Sequence, residues 1–226
     1  MSWNIFNFHS SAQAHTEDLT EHPAFCPKVV IVGGTGVGKT SLIMRQNGQG
    51  FTSLTSPTIG ASFCYTKVQL HDSRKPLEMQ VWDTAGQEKY RSMAPIYYRN
   101  AVGAVAVYDI TDLQSFVEMQ GWVQELRQNI PTKIPLLIVG NKCDLQAERA
   151  VRVDTAQAFA DSVDACGFFE TSALSGVGVH KSFVALAERV LREEESRRRR
   201  ESELAVDSFT LSTEAKGKGA KRYGCC

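Results

Sequence analysis

The sequence predicts an α/β fold: a mostly parallel six-stranded sheet with one antiparallel edge strand and helices on both faces. Three observations carry this. Short apolar runs recur: VVIV (29–32), MQVW (79–82), VGAVAVY (102–108), PLLIVG (135–140) and FFETSA (168–173). Stretches of helical period lie between most of them, and strands apolar on both faces belong in a parallel sheet covered on each side. ASFCYTKVQL and LEMQVW, in contrast, are joined only by HDSRKP, too short for a helical crossover, so this pair runs antiparallel. Finally, the first apolar run leads through a glycine-rich loop, GGTGVGKT (33–40), into SLIMRQ, a strand–loop–helix sequence.

The chain has 226 residues, enough for one domain with tails and a full core. Lys+Arg and Asp+Glu both number 25, so no global field draws nucleic acid. No run approaches the roughly 18 apolar residues of a membrane-spanning helix. The opening MSWNIFNFHSSAQAH has neither a basic region nor a sustained apolar stretch, so it is not a secretory signal, and a cytosolic chain is expected. None of the six cysteines forms a CxxC pair, which argues against a disulfide frame.

Residues 1–27 read as a flexible arm punctuated by Pro23 and Pro27, with His9, His15 and His22 at no metal-ligand spacing. The folded domain is expected over 28–200. Within it SFVEMQGWVQELRQNI (115–130) and DTAQAFADSV (154–163) read as helices, the second with Asp154 as N-cap and Gln157 as its capping-box partner. A last helix starts near Val179 and runs into REEESRRRR, where Glu193–Arg197, Glu194–Arg198 and Glu195–Arg199 have the favourable i,i+4 order. Residues 201–226 turn Ser-, Thr-, Gly- and Lys-rich and read as a flexible tail.

The chemistry begins in GGTGVGKT, whose Gly33, Gly38, Lys39 and Thr40 have the spacing GxxxxGK[ST]. Glycines let the loop curl its N–H groups around phosphate oxygens, and the helix N-terminus adds partial positive charge. Lys39 supplies an ammonium to the outer phosphates and Thr40 a hydroxyl to Mg²⁺. This motif leaves ATP and GTP equally open. NKCD (141–144), following PLLIVG at the same sheet edge, decides for guanine. A carboxylate at Asp144 accepts from the ring N–H and the exocyclic amine of guanine, a pair that adenine lacks. In WDTAGQE (82–88), Asp83 suits Mg²⁺, Gly86 can bring its N–H to a terminal phosphate, and Gln87 can orient an attacking water. Thr58, in SPTIG (56–60), is placed to complete the metal shell.

GGTGVGKT, PTIG, WDTAGQE, NKCD and TSAL stand in the order and spacing of the Ras-like small GTPases, a P-loop fold, and the likeness covers about residues 28–192. IGASF, KYRSM, YYRNA and VYDIT resemble the Rab family, and PTIGASF with APIYY is most similar to its early-endosomal group. The resemblance implies a switch that binds GTP or GDP with Mg²⁺ and slowly hydrolyses GTP. Gly33, Thr35, Gly36, Val37, Gly38, Lys39, Thr40 and Ser41 would cradle the phosphates, with Thr40, Thr58 and Asp83 on the metal. Phe51 would cap the guanine and Lys142 stack along it. Asn141 and Asp144 would read the base, and Ala173, flanked by Ser172 and Leu174, would give its N–H to the guanine oxygen. Lys39 and Gln87 would be catalytic, while Phe63, Trp82 and Tyr97 would form the effector face.

Two positions depart from the family pattern: Leu174 replaces a lysine near the base, and Thr35 adds a methyl near the terminal phosphate. A competing reading, a GTP-binding scaffold with little hydrolytic cycling, rests on those two. A metabolic P-loop kinase would have no use for NKCD. Residues 46–62 contain no arginine, so hydrolysis is expected to depend on a GTPase-activating protein. The chain closes on KGKGAKRYGCC. A bridge between adjacent Cys225 and Cys226 is strained, and two isolated thiols make a poor metal site. The ending resembles that of doubly geranylgeranylated Rabs. That implies an escort protein, a GDP-dissociation inhibitor, an exchange factor and effector proteins, with a monomer on the cytoplasmic face of early endosomes.

Overall fold

The computed structural model describes residues 25–52, 58–71, 73, 75–86 and 94–217, with side chains as far as Leu204. The expected sheet is present. Its strands are β1 (Lys28–Val32), β2 (Ala61–Val68), β3 (Leu77–Thr84), β4 (Gly103–Asp109), β5 (Leu136–Asn141) and β6 (Gly167–Glu170). They lie in the order β2-β3-β1-β4-β5-β6. All neighbours are parallel except β2 and β3, which pair antiparallel with Phe63 opposite Trp82.

Alternation along buried strands explains the continuous apolar runs. Val29 and Ile31 of β1 face one side with Val105, Val107, Leu137 and Val139. There they meet Leu42 and Ile43 of helix α1 (Lys39–Gln46) and Phe183, Leu186 and Val190 of α5 (Val179–Gly217). Val30 and Val32 point the other way with Ala104, Ala106 and Ile138. They pack on Tyr98 of α2 (Ala94–Tyr98), Phe116 and Met119 of α3 (Leu113–Asn129) and Ala156 of α4 (Val153–Ser162). A strand with both faces covered has no polar side to present, because successive side chains point to opposite faces of the sheet.

Two local expectations change. Helix α4 begins two residues early, at Val153 with Arg152 at its N-cap, so Asp154 lies in its first turn instead of capping it. Its carboxylate pairs with Arg152, and Gln157 reaches forward to Asp161. Helix α3 starts two residues before the apolar pattern does, because Asp112 caps it by accepting from Gln114 N–H at 2.9 Å.

The larger change is at the C-terminus. The sequence placed the end of the helix near residue 200, yet α5 continues to Gly217 as one 39-residue helix. Residues 201–215 contain no Gly or Pro to stop it. A ladder of ion pairs supports its exit from the core: Arg197 to Glu194 and Glu201, and Arg198 to Glu194. Glu193 pairs back with Arg189 instead of forward with Arg197. Among the described residues no helix is long and apolar enough to cross a membrane.

Candidate functional site: a phosphate loop and a base-reading loop share one cavity

β1 leaves the sheet where strand order reverses, with β3 on one side and β4 on the other. Crevices at such reversals lie beyond the carboxyl ends of the strands and are where open α/β sheets bind ligands. A cavity of about 470 Å³ opens there. It is lined by Thr35, Gly36, Gly38, Lys39, Thr40, Ser41, Phe51, Thr58, Gly86, Asn141, Lys142, Asp144, Ala173 and Leu174, with Thr52 and Leu145 completing the wall.

At one end the loop after β1 wraps around a cation. Lys39 is buried, and its Nζ donates to the Gly33 and Gly34 carbonyls at 2.8 and 2.7 Å. Burial lowers its pKa to about 8, against the opposing charges of Asp83 and Glu118. An ammonium held this way, next to the open N-terminus of α1, is matched to an anion. Gly38 has φ +96°, and a Cβ there would lie 2.3 Å from Asn141 Nδ2, so both conformation and space require glycine.

Beside Lys39 three oxygens meet. Thr40 Oγ1 donates to Asp83 Oδ2 at 2.5 Å, Thr58 Oγ1 reaches the same oxygen at 3.3 Å, and the two hydroxyls are 3.0 Å apart. Asp83 Oδ1 is buried and has no hydrogen-bond partner among the described residues. Burial raises the Asp83 pKa, against the bond from Thr40, the charge of Lys39 and the bond from Thr58. A buried carboxylate with an orphaned oxygen, flanked by two hydroxyls, is a hard-oxygen set suited to Mg²⁺. Gly86 comes so close to the phosphate loop that a Cβ would lie 2.4 Å from the Gly34 carbonyl.

The other end is built by β5 and the loop after β6. Asn141 is buried and ties three segments together. Its Nδ2 donates to Val37 O at 2.8 Å, while its Oδ1 accepts from Thr171 Oγ1 and Ala173 N–H, both at 3.2 Å. Lys142 follows with φ +66°, which turns the chain so that Asp144 borders the cavity. Lys142 Nζ is anchored on Asp109 Oδ2 at 2.6 Å. Burial works to raise the Asp109 pKa, but the bonds from Lys142 and from the N–H and hydroxyl of Thr111 hold it below the usual range. One cavity therefore has a cationic, metal-competent end and a carboxylate-bearing end.

Comparison with known proteins agrees with this geometry. The Ras family model matches residues 28–192. The chain is 42% identical over 163 residues to "Ras-related protein Rab-22A" of Mus musculus, covering 72% of this chain and 82% of the relative. It is 37% identical over 201 residues to "Ras-related protein Rab-21" of Mus musculus, covering 89% and 82%. "Ras-related protein YPTC6" of Chlamydomonas reinhardtii is 37% identical over 207 residues, covering 88% and 94%. The chain belongs to the Rab family of Ras-like small GTPases. As a Rab it binds guanine nucleotide, hydrolyses GTP to GDP and phosphate, and regulates vesicle traffic.

Most residues singled out in the sequence line the Rab cavity directly. Four stand behind its wall. Gly33 and Val37 contribute carbonyls to Lys39 and Asn141, and Asp83 is reached through Thr40 and Thr58. Ser172 is buried, with its Oγ accepting from Ser175 N–H, so it shapes the turn. The Ala173 N–H expected for the guanine oxygen donates to Asn141 Oδ1. Gln87, Cys225, Cys226 and residues 1–24 lie outside the described residues.

Phe63, Trp82 and Tyr97 form one continuous surface. Phe63 and Trp82 stack with centroids 5.5 Å apart, and Trp82 and Tyr97 are 6.2 Å apart. Phe63 is half exposed, and Ile59 and Ile96 beside this region are more so. Lys28 Nζ lies 4.0 Å from the Trp82 ring centroid and donates to Arg99 O, bracing the stack from behind. Sequence reasoning missed this brace, along with Thr52, Leu145 and Asp109. Asp109 sits in VYDIT, a string whose chemistry shows only once β4 lies beside β5.

Proposed function

We propose that the cavity holds GTP and GDP in one orientation, with the phosphates on Lys39 and the guanine between Phe51, Lys142 and Asp144. The observation that carries this is the placement of the Thr40–Thr58–Asp83 oxygens and of Asp144 at opposite ends of one space. Mg²⁺ would be held by Thr40, Thr58 and Asp83, and would supply charge neutralisation between the outer phosphates. Ala173 N–H, 3.2 Å from Asn141 Oδ1, would be shared with the guanine oxygen without a turn of the backbone.

Thr58 and Gly86 would stand on either side of the terminal phosphate. That phosphate would hold Thr58 and Gly86, and hydrolysis would release both. Phe63 and Trp82 lie on the hairpin between Thr58 and Gly86 and Tyr97 on the helix that follows Gly86, so effector proteins would read the nucleotide there. Gln87 positions the attacking water, and an activating protein supplies the cation that residues 46–62 lack. Replacing Gln87 by Leu should slow single-turnover phosphate release at least about tenfold, with GTP binding retained. An unchanged rate contradicts the assignment.

Cys225 and Cys226 are the proposed prenylation sites, reached through an escort protein and extracted by a GDP-dissociation inhibitor. Two lipid chains give stable attachment where one is marginal. Lys216, Lys218, Lys221 and Arg222 add attraction to anionic lipid. With Rab-22A and Rab-21 among its relatives, the cytoplasmic face of endosomal membranes is the proposed location. Changing both cysteines to Ser should leave GDP binding intact and move the chain to the soluble fraction; persistent membrane recovery argues against the anchor.

A further inference from the structure

Helix α1 carries Lys39 at its first residue and Arg45 in its last turn. Arg45 reaches across to the turn after β6. Its Nε donates to Ala173 O at 2.8 Å, and its Nη2 donates to Leu174 O. The stem passes over the same turn, where a Cβ on Gly176 would sit 3.6 Å from Arg45 Cδ. A guanidinium is a rigid fork, so two donors on consecutive carbonyls fix the orientation of the peptide between them as well as its position. Ala173 N–H, on the preceding peptide, faces Asn141 and the cavity.

We infer that Arg45 is a positioning residue for guanine recognition: it clamps the Ala173–Leu174 backbone so that Ala173 N–H is aimed at the 6-oxygen of the base. This rests on the guanine-binding reading given above. The geometry adds a reason for the arrangement. One short helix grips phosphate through Lys39 and the base loop through Arg45, so the two ends of the nucleotide site keep a fixed separation of roughly 9 Å along α1. The clamp takes only main-chain oxygens, so it does not depend on residue 174 being Leu or Lys. The half-exposed Leu174 side chain sits at the rim while its carbonyl is held.

The test compares dissociation of GDP with that of 2-aminopurine riboside diphosphate, which keeps the 2-amine but has neither 6-oxygen nor ring N1–H. Full-length wild type, Arg45→Ala and Arg45→Lys are each loaded in Mg²⁺ and followed by stopped flow. Arg45→Ala should release GDP about tenfold faster and the analogue within about twofold of wild type, with Arg45→Lys between for GDP. Equal acceleration of both ligands means that Arg45 only supports the fold, and a wild-type GDP rate in both variants removes the clamp; either result overturns the inference. If Arg45→Ala does not fold, Arg45→Lys decides by the same comparison. Should wild type hold both ligands equally, the guanine reading fails and the clamp fails with it.

Discussion

Replacing Lys39 by alanine is expected to weaken GDP binding by about thirtyfold to several thousandfold while the chain stays folded. The ammonium is buried, and it rests on two carbonyls that neutralise none of its charge. Truncating one partner of a buried, hydrogen-bonded charge pair costs about 2–5 kcal/mol or more, and each 1.4 kcal/mol is tenfold in affinity. The nucleotide-free domain loses little, because burial already works against this cation and lowers its pKa to about 8.

The sign of that shift makes a second readout possible. The folded pKa of Lys39 is below its unfolded value of 10.5, so between about pH 8 and 10.5 the unfolded chain binds more protons. Across that window the Lys39 contribution makes nucleotide-free stability rise with pH, and below it the slope disappears. Phosphate oxygens favour the charged form, so GDP binding near pH 8.5 should take up protons. Calorimetry in buffers of different ionisation enthalpy would show the uptake in wild type and its loss in Lys39→Ala. Equal GDP affinity in the two proteins would place the phosphates elsewhere.

The other large effect is a change of base preference at Asp144. A carboxylate accepts two hydrogen bonds from guanine, whereas an amide presents one acceptor and one donor. Asp144→Asn should therefore weaken GDP by about a hundredfold to a thousandfold and strengthen xanthosine diphosphate, whose 2-oxygen accepts from the new amide. Competition of the two nucleotides against a fluorescent GDP reports the exchange directly. Asp144 borders the cavity at the surface instead of sitting deep inside it, so the substitution leaves the core untouched. Unaltered preference for GDP would remove Asp144 from the base.

What was legible in the sequence had local causes. Continuous apolar strands, a hairpin too short for a crossover and a glycine-rich turn before a helix each dictate geometry within a few residues. So the sheet, its antiparallel edge and the phosphate loop could be read from single stretches. Partners brought together by folding were less accessible. Lys142 finds Asp109 from an adjacent strand, Arg45 finds carbonyls more than a hundred residues away, and Lys28 finds the Trp82 ring. None has a spacing that a sequence displays. The end of α5 misled for a different reason. Its Ser- and Thr-containing composition resembles a linker, yet nothing between Glu201 and Gly217 breaks a helix, and Arg197 bridges the supposed boundary by pairing with Glu201.

The central claim is that a single cavity reads guanine at Asp144 and phosphate at Lys39. Equilibrium competition of GDP against ADP for that cavity, in the full chain with Mg²⁺ present, tests it most directly. The structure predicts that GDP displaces a fluorescent guanine nucleotide at concentrations near that of the protein, while ADP fails at about a thousandfold excess. Displacement by ADP within about tenfold of GDP would contradict it.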